Sequence, residues 1–461
     1  MASTDYLPGF SHHLQGRPSG TKRKDLTRQA AKLDGVAALV GRFLPVAVFE
    51  PPAGGRQRVY TPWVTFVAFL GQVLNRGSSC REAVRRVQTW FVAEKRTTPD
   101  ESTSAYCQAR ARLPVEALRT AHQHVGDWIE QHVQDSWRWC GRRARVLDGC
   151  GVSMPDTEEN RAQWPYAGNQ RPGCGFPTAQ LVGLFCLATG RLMRFAFDSW
   201  KAHEIPLARQ LIGWIEPNDV VVTDRGFCGW GLIALLKRKG VDVVMRAHQA
   251  RKLAGSSMIW AKPQRPEAMW TKSLWAELPE QLTIRIVRFK VHVPGFRTQE
   301  VVLTTTLLDQ QEYPDEAIIA LYRRRWAVEL CFRDIKTTLG LDVLRCGSPE
   351  LIEKEVWLQV IAHNLIRALM VEAAWTHQID LERMSFKGTV DTLRQWTPLL
   401  APRMFAYKHA RQELLRVIAA DTVQARPNRS EPRAKKRRPK NYQNLTQPRK
   451  IMAVSASRAF K

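Results

Sequence analysis

Glu329 stands in a spacing of side chains that could do chemistry on a phosphodiester. Tyr322 lies seven residues before it, Arg325 four before, and Lys336 seven after. The stretch that holds them, PDEAIIALYRRRWAVELCFRDIKTTLG (314–340), is predicted as one helix. Pro314 suits a first helical position, Asp315 and Glu316 place negative charge in the first turn, and Gly340 supplies the stop. At 100° per residue the four side chains fall on one face, with Arg333 at its border. A carboxylate there could hold a metal ion while Arg, Lys and Tyr grip neighbouring phosphates. Taken alone, the stripe is more often a solvated face with one i,i+4 ion pair, worth a few tenths of a kcal/mol. Partner carboxylates elsewhere decide between the two.

Two such partners are present. Asp148 closes the short apolar run ARVLDG (144–149), and Asp224 closes DVVVTDRGF (219–227), each where a predicted strand ends. Ligands gather at the carboxyl ends of strands in α/β sheets, although a single Asp there is more often a turn residue. Three carboxylates on three elements suit two divalent ions, and Mg²⁺, a hard ion bound by few carboxylates plus substrate phosphate, fits best.

The elements that must position these residues alternate. Helical periodicity runs from about Lys24 to Trp139, with the stripe Val115, Leu118, Ala121, Val125, Trp128, Ile129 and Val133 as its clearest case. Arg81, Arg85, Arg86, Arg110 and Arg112 give this region cationic faces, which suit a DNA-binding domain or the surface of an ordinary bundle. Beyond Arg143, strands and helices alternate and predict an α/β core: a hairpin at 180–200, helices at 204–215 and 229–240, and a strand at 241–248. Residues from about 250 to 310 read as a β-rich insertion carrying Trp260, Trp270 and Trp275. A long helix follows over 349–377, with a shorter one near 388–399.

Composition sets the partner class. The chain of 461 residues carries a net charge of +26, which points to a polyanion. Residues 426–450 hold ten Lys/Arg against the single Glu431, so nine of those charges sit in a basic tail and the rest are spread over the body. The nine Cys follow no CxxC pattern and the eleven His no zinc spacing, which suggests reduced thiols. No apolar run reaches the ~18 residues of a membrane span.

With these residues in view the sequence resembles the bacterial DDE transposases of the "insertion sequence 4" family. The resemblance rests on Asp148 in VLDGCGVSMPD, Asp224 in TDRGF, and the family's Y-(2)-R-(3)-E-(6)-K signature, matched without a gap by Tyr322, Arg325, Glu329 and Lys336. It covers about Arg143 to Gly340, extends more weakly through SAYCQARARLP (104–114), and does not reach the tail.

The resemblance implies a ribonuclease H-like DDE core at 143–345, interrupted by the insertion. Around it come a helical DNA-binding region at 1–142, a helical region at 346–424 and a disordered basic tail at 425–461. It implies cut-and-paste transposition, with metal-dependent cleavage of DNA ends followed by attack of the freed 3′-OH on target DNA. Asp148, Asp224 and Glu329 would be catalytic and hold two Mg²⁺, for which Mn²⁺ can substitute. Tyr322, Arg325 and Lys336 would hold the DNA backbone. The implied partners are terminal inverted repeats and target DNA, bound by a homodimer in a synaptic complex, in the bacterial cytoplasm at the nucleoid and without a membrane. In well-known relatives a hairpin forms and a flipped base stacks on an insertion Trp, for which Trp260, Trp270 and Trp275 are candidates or core residues.

Two rival readings stand beside this one, a ribonuclease H-like nuclease without strand transfer and a catalytically retired DNA-binding descendant. Asp156 and Glu159 have capping-box spacing, and His203–Glu204, just ahead of a helix, suits capping or a supporting role. Arg225 and Gly226 adjoin Asp224, where they can shape the turn and approach phosphate.

Overall fold

The computed structural model describes residues 33–50, 58–168, 170, 171, 173–248, 251, 253, 255–266, 270–291, 299–401, 407–423, 445, 447, 448 and 451. Most of the basic tail therefore lies outside the described residues. The chain divides into two compact units, each discontinuous in sequence. One comprises Met1–Ala117 with Gly388–Ile418, the other Leu118–Lys387 with Ala419–Lys461.

The first unit is helical. Thr61 and Ser79 start the helices Pro62–Leu74 and Cys80–Ala93 by accepting from Val64 and Glu82 N–H groups, so each satisfies an orphan donor. Of the arginines read as cationic faces, Arg81, Arg85 and Arg112 are exposed. Arg110 is instead buried over the rings of Phe69 and Tyr106, and Arg86 binds the Gly71 carbonyl and Glu82. Those two hold the fold, Arg110 by packing on aromatic faces and Arg86 through its hydrogen bonds.

The second unit is built on one eight-stranded mixed sheet. Its strands are β1 (Ala144–Ser153), β2 (Thr178–Cys186), β3 (Leu192–Ser199), β4 (Val220–Thr223), β5 (Asp242–Arg246), β6 (Ser257–Ala261), β7 (Gln281–Val291) and β8 (Gln299–Thr305). They lie in the order β3-β2-β1-β4-β5-β8-β7-β6. The predicted hairpin forms as β2 and β3, turning at Gly190 with φ +70°. β4, Val-Val-Val-Thr, pairs in parallel with β1 on one side and β5 on the other and is buried throughout, as a central parallel strand must be. The core below it collects Leu147, Val221, Val243, Phe227 and Trp230.

One expectation is corrected here. β1 does not end at Asp148; it runs on to Ser153 because β2 continues to pair with it in antiparallel register, Asp148 opposite Gly183. The residues expected as a β-rich insertion at about 250–310 supply β6, β7 and β8. β8 pairs with β5, and β7 and β6 follow it outward, so these strands extend the core sheet. Thr305 and Thr306 fasten that junction through the Val243 carbonyl and the Asp242 carboxylate.

The helix Pro349–His377 packs with residues buried along most of its length, which suits its lack of a polar face. Asn364 grips both backbone groups of Leu192, donating at 2.9 Å and accepting at 3.0 Å, and so fixes the start of β3.

Candidate active site

Strand register brings the two aspartates together. The last parallel pair between β1 and β4 is Val146 with Val222. Asp148 and Asp224 are each two residues further on, hence at the same level and on the same face as those valines. Asp224 follows the end of β4, where its Oδ1 accepts from the Gly226 N–H at 2.9 Å in a tight turn. The Gly149 N–H donates to Asp148 Oδ1, also at 2.9 Å.

The third carboxylate arrives on a helix that is not the single regular one predicted. Asp315–Arg324 and Trp326–Arg333 are separated by a tight turn at Arg325, whose N–H bonds back only three residues to the Tyr322 carbonyl. A wide π turn then spans Asp334–Leu339 and ends at Gly340 with φ +103°. One departure over-winds the helix and the other under-winds it, so a uniform 100° step misplaces side chains along it. Arg367 pairs with Asp334 at 3.6 Å and bonds the Cys331 sulfur, tying down the π turn.

Arg325 is the hinge in electrostatics as well as in shape. Its guanidinium binds Glu329 at 2.8 Å and lies 3.9 Å from Asp148, and it is buried to 12% exposure. Its Nε has no partner among the described residues. Tyr322 is buried beside it, 5.7 Å from ring centre to guanidinium carbon, and burial raises its phenol, with Arg325 and Arg246 opposing. Lys336 lies in the π turn, and its charge acts on Cys150, two residues past Asp148. All six residues predicted for the site are thus gathered around the β1–β4 edge.

Burial pushes the Asp148 carboxyl up to about 6; the Gly149 N–H and Arg325 hold it down, while Asp224 and Glu329 raise it further. A carboxylate so destabilised is one that a cation would relieve. No three acidic, His or Cys side chains among the described residues yet converge tightly enough to grip one ion. The donor set nevertheless fits a hard divalent ion, since it offers carboxylate oxygens from separate elements and no thiolate or imidazole.

Sequence reasoning undervalued Glu204. It begins the helix Glu204–Leu211, and its carboxyl is raised by burial, then by Asp224 and Asp148, which places it beside both aspartates. Asp156, in contrast, binds Arg161 and Tyr166, and Thr157 caps the helix that follows. Trp270 and Trp275 are core residues packed against each other, and Trp275 packs also on Trp230; of the three Trp candidates, Trp260 keeps a partly exposed ring, with Arg251 over it at 4.6 Å.

Comparison with known proteins now bears on the chemistry. Residues 139–365 match the family described as the transposase DDE domain. The chain is 27% identical over 412 residues to the transposase InsG for insertion sequence element IS4 of Escherichia coli (strain K12), covering 84% of this chain and 87% of that one. It is 40% identical over 261 residues to the putative transposase InsL for insertion sequence element IS186A of the same strain, covering 49% and 65%. A piggyBac transposase in a synaptic complex with hairpin DNA is matched at 10% identity with a TM-score of 0.39, over 90% of each chain.

The chain belongs to the DDE transposases, enzymes that cleave DNA and transfer the cut strand. Among these it is a transposase of the insertion sequence 4 type. No helix among the described residues is long and apolar enough to cross a membrane, and none of the nine cysteines is in a disulfide.

Proposed function

We propose that this transposase cleaves its DNA ends in the cleft between Asp148, Asp224 and Glu329, and that these three residues hold divalent cations. Two Mg²⁺ ions, or Mn²⁺ in their place, would supply an activated attacking oxygen and a stabilised leaving oxygen. The observation that carries the reading is the shared level of Asp148 and Asp224 past the last β1–β4 pair, with Arg325 joining Asp148 to Glu329. The order β3-β2-β1-β4-β5, with β2 antiparallel to β1 and the next two strands parallel, supports a ribonuclease H-like core.

The chain's other residues hold the substrate. Arg325 presents a planar donor fork beside the carboxylates, suited to two oxygens of one phosphate, and Tyr322 stiffens it from behind. Lys336 adds a point charge near β1. Exposed Arg81, Arg85 and Arg112 support a role for the amino-terminal helices in gripping the element's terminal repeats. Ten basic residues over 426–450 suit sequence-independent phosphate contacts. An element has two ends and each chain one such cleft, which supports a homodimer in the synaptic complex.

The test incubates purified protein with its flanking DNA ends and Mg²⁺, with EDTA as control, and maps the products. Nicked ends and joined target strands that appear only with metal, and vanish in Asp148→Asn, Asp224→Asn and Glu329→Gln, are expected. Wild-type cleavage by any of these variants would remove that residue from the site.

A further inference from the structure

Glu204 belongs neither to the aspartate pair nor to the helix signature, yet the protein has made room for its carboxylate. A Cβ on Gly149 would stand 2.2 Å from Glu204 Oε1, and one on Gly226 would stand 3.5 Å from Oε2. Gly149 follows Asp148, and Gly226 closes the turn of Asp224. The carboxylate therefore sits in a cradle formed by the two backbone segments that carry the two aspartates, and a side chain at Gly149 would fill it.

Helix geometry alone does not account for this placement. An acidic residue in a first turn normally favours the helix by facing its N–H groups. Here Oε1 instead accepts from Gln180 Nε2 at 2.9 Å, across on β2. The cost is charge repulsion, because the half-buried group has Asp224 and Asp148 as its charged neighbours. Neither Glu204 nor Asp224 forms an ion pair with a described residue, whereas Glu329 has Arg325 at 2.8 Å. The cleft thus has Arg325 set against Glu329 and, at 3.9 Å, against Asp148, while no described cation pairs with Asp224 or Glu204.

We propose that Glu204 is a fourth carboxylate of the cation site, serving the ion held by Asp148 and Asp224. This rests on the reading that those two aspartates bind a divalent cation. Like charges gathered in partly desolvated surroundings repel, and one divalent ion between them turns that cost into attraction. Glu204 would then set the affinity of the site before DNA binds, and Gln180 would orient it.

The experiment measures Mn²⁺ binding to the full chain without DNA, by the electron paramagnetic resonance of free and bound Mn²⁺, for wild type, Glu204→Gln, Gly149→Ala and Asp148→Asn. Glu204→Gln keeps an acceptor for Gln180, so its melting temperature should match wild type while Mn²⁺ affinity falls roughly 10- to 100-fold, the usual effect of losing a supporting group at a metal site. Gly149→Ala keeps the charge but displaces it, and the same loss is expected. Wild-type Mn²⁺ affinity in Glu204→Gln or in Gly149→Ala, beside a loss in Asp148→Asn, would overturn the role of Glu204 alone. Unchanged affinity in Asp148→Asn as well would overturn the site itself.

Discussion

Two aspartates bracket β4 five residues apart, and the protein treats them in opposite ways. Asp219, at the strand's start, is fully buried and fully answered. Arg143 binds it at 2.7 Å, Arg145 at 3.2 Å, and the Glu216 N–H at 3.0 Å. Asp224, at the strand's end, accepts from one N–H and forms no ion pair with a described residue, while Asp148 and Glu204 crowd it. A buried charge with its partners built in is structural, and one left without them is reserved for something that binds. Compensation distinguishes the two; residue type does not.

The sharpest way to break this comparison is a crossed pair of substitutions. Asp224→Asn should lower end cleavage on the order of a thousandfold, the several kcal/mol that metal-assisted charge stabilisation supplies, and leave the melting temperature unchanged or raised. Asp219→Asn should do the reverse. It leaves Arg145, buried to 2% exposure, with only Glu130 at 3.5 Å as an acidic partner, and should cost about 3–5 kcal/mol in stability by denaturant titration, with cleavage per folded molecule retained. Equal destabilisation by both would erase the distinction.

A smaller effect is expected where compensation is shared. Arg325→Ala and Lys336→Ala each remove one charge-assisted grip, so retention of a cleaved end in a gel assay should fall by roughly 1.5–3 kcal/mol, about ten- to a hundredfold. Calorimetric Mn²⁺ binding should survive in both. Normal end retention with lost metal would return the pair to a charged helix face.

The smallest effect concerns buried groups that surrender their charge. His122 and His363 are fully buried, and burial lowers each to about 3, with neighbouring arginines adding to the fall and a bond to the carbonyls of Leu192 and Gly190 opposing it. A folded value below the unfolded 6.5 means their stabilisation is present above pH 6.5 and is lost as pH falls toward 3. Other carboxyls titrate in that window, so the readout is a difference. Replacing His122 by Gln should flatten the pH dependence of stability between pH 6 and 4 by about one proton, roughly 1.4 kcal/mol per pH unit. An unaltered slope would mean that His122 is not held neutral.

Much of the site was legible because its signals are local. The spacing of Tyr322, Arg325, Glu329 and Lys336 reports one helix, and the apolar runs before Asp148 and Asp224 report two strands, since hydrogen bonding within an element follows residue order. The mixed α/β character followed from the same periodicities. What lay beyond them was decided by packing between distant segments. The pairing of β8 with β5 drew the expected insertion into the core sheet, and Trp270 and Trp275 into its hydrophobic centre. The tight turn at Arg325 and the π turn at Asp334–Leu339 answer to contacts with Asp148 and Arg367, which no helical period records. Glu204 is the extreme case. As sequence it is an acidic residue at a helix start, and only the meeting of β1, β2 and the Asp224 turn places its carboxylate against Gly149 and Gly226. Residue type and spacing determine which groups a segment can offer, whereas their burial and their neighbours' charges exist only once the strands have paired.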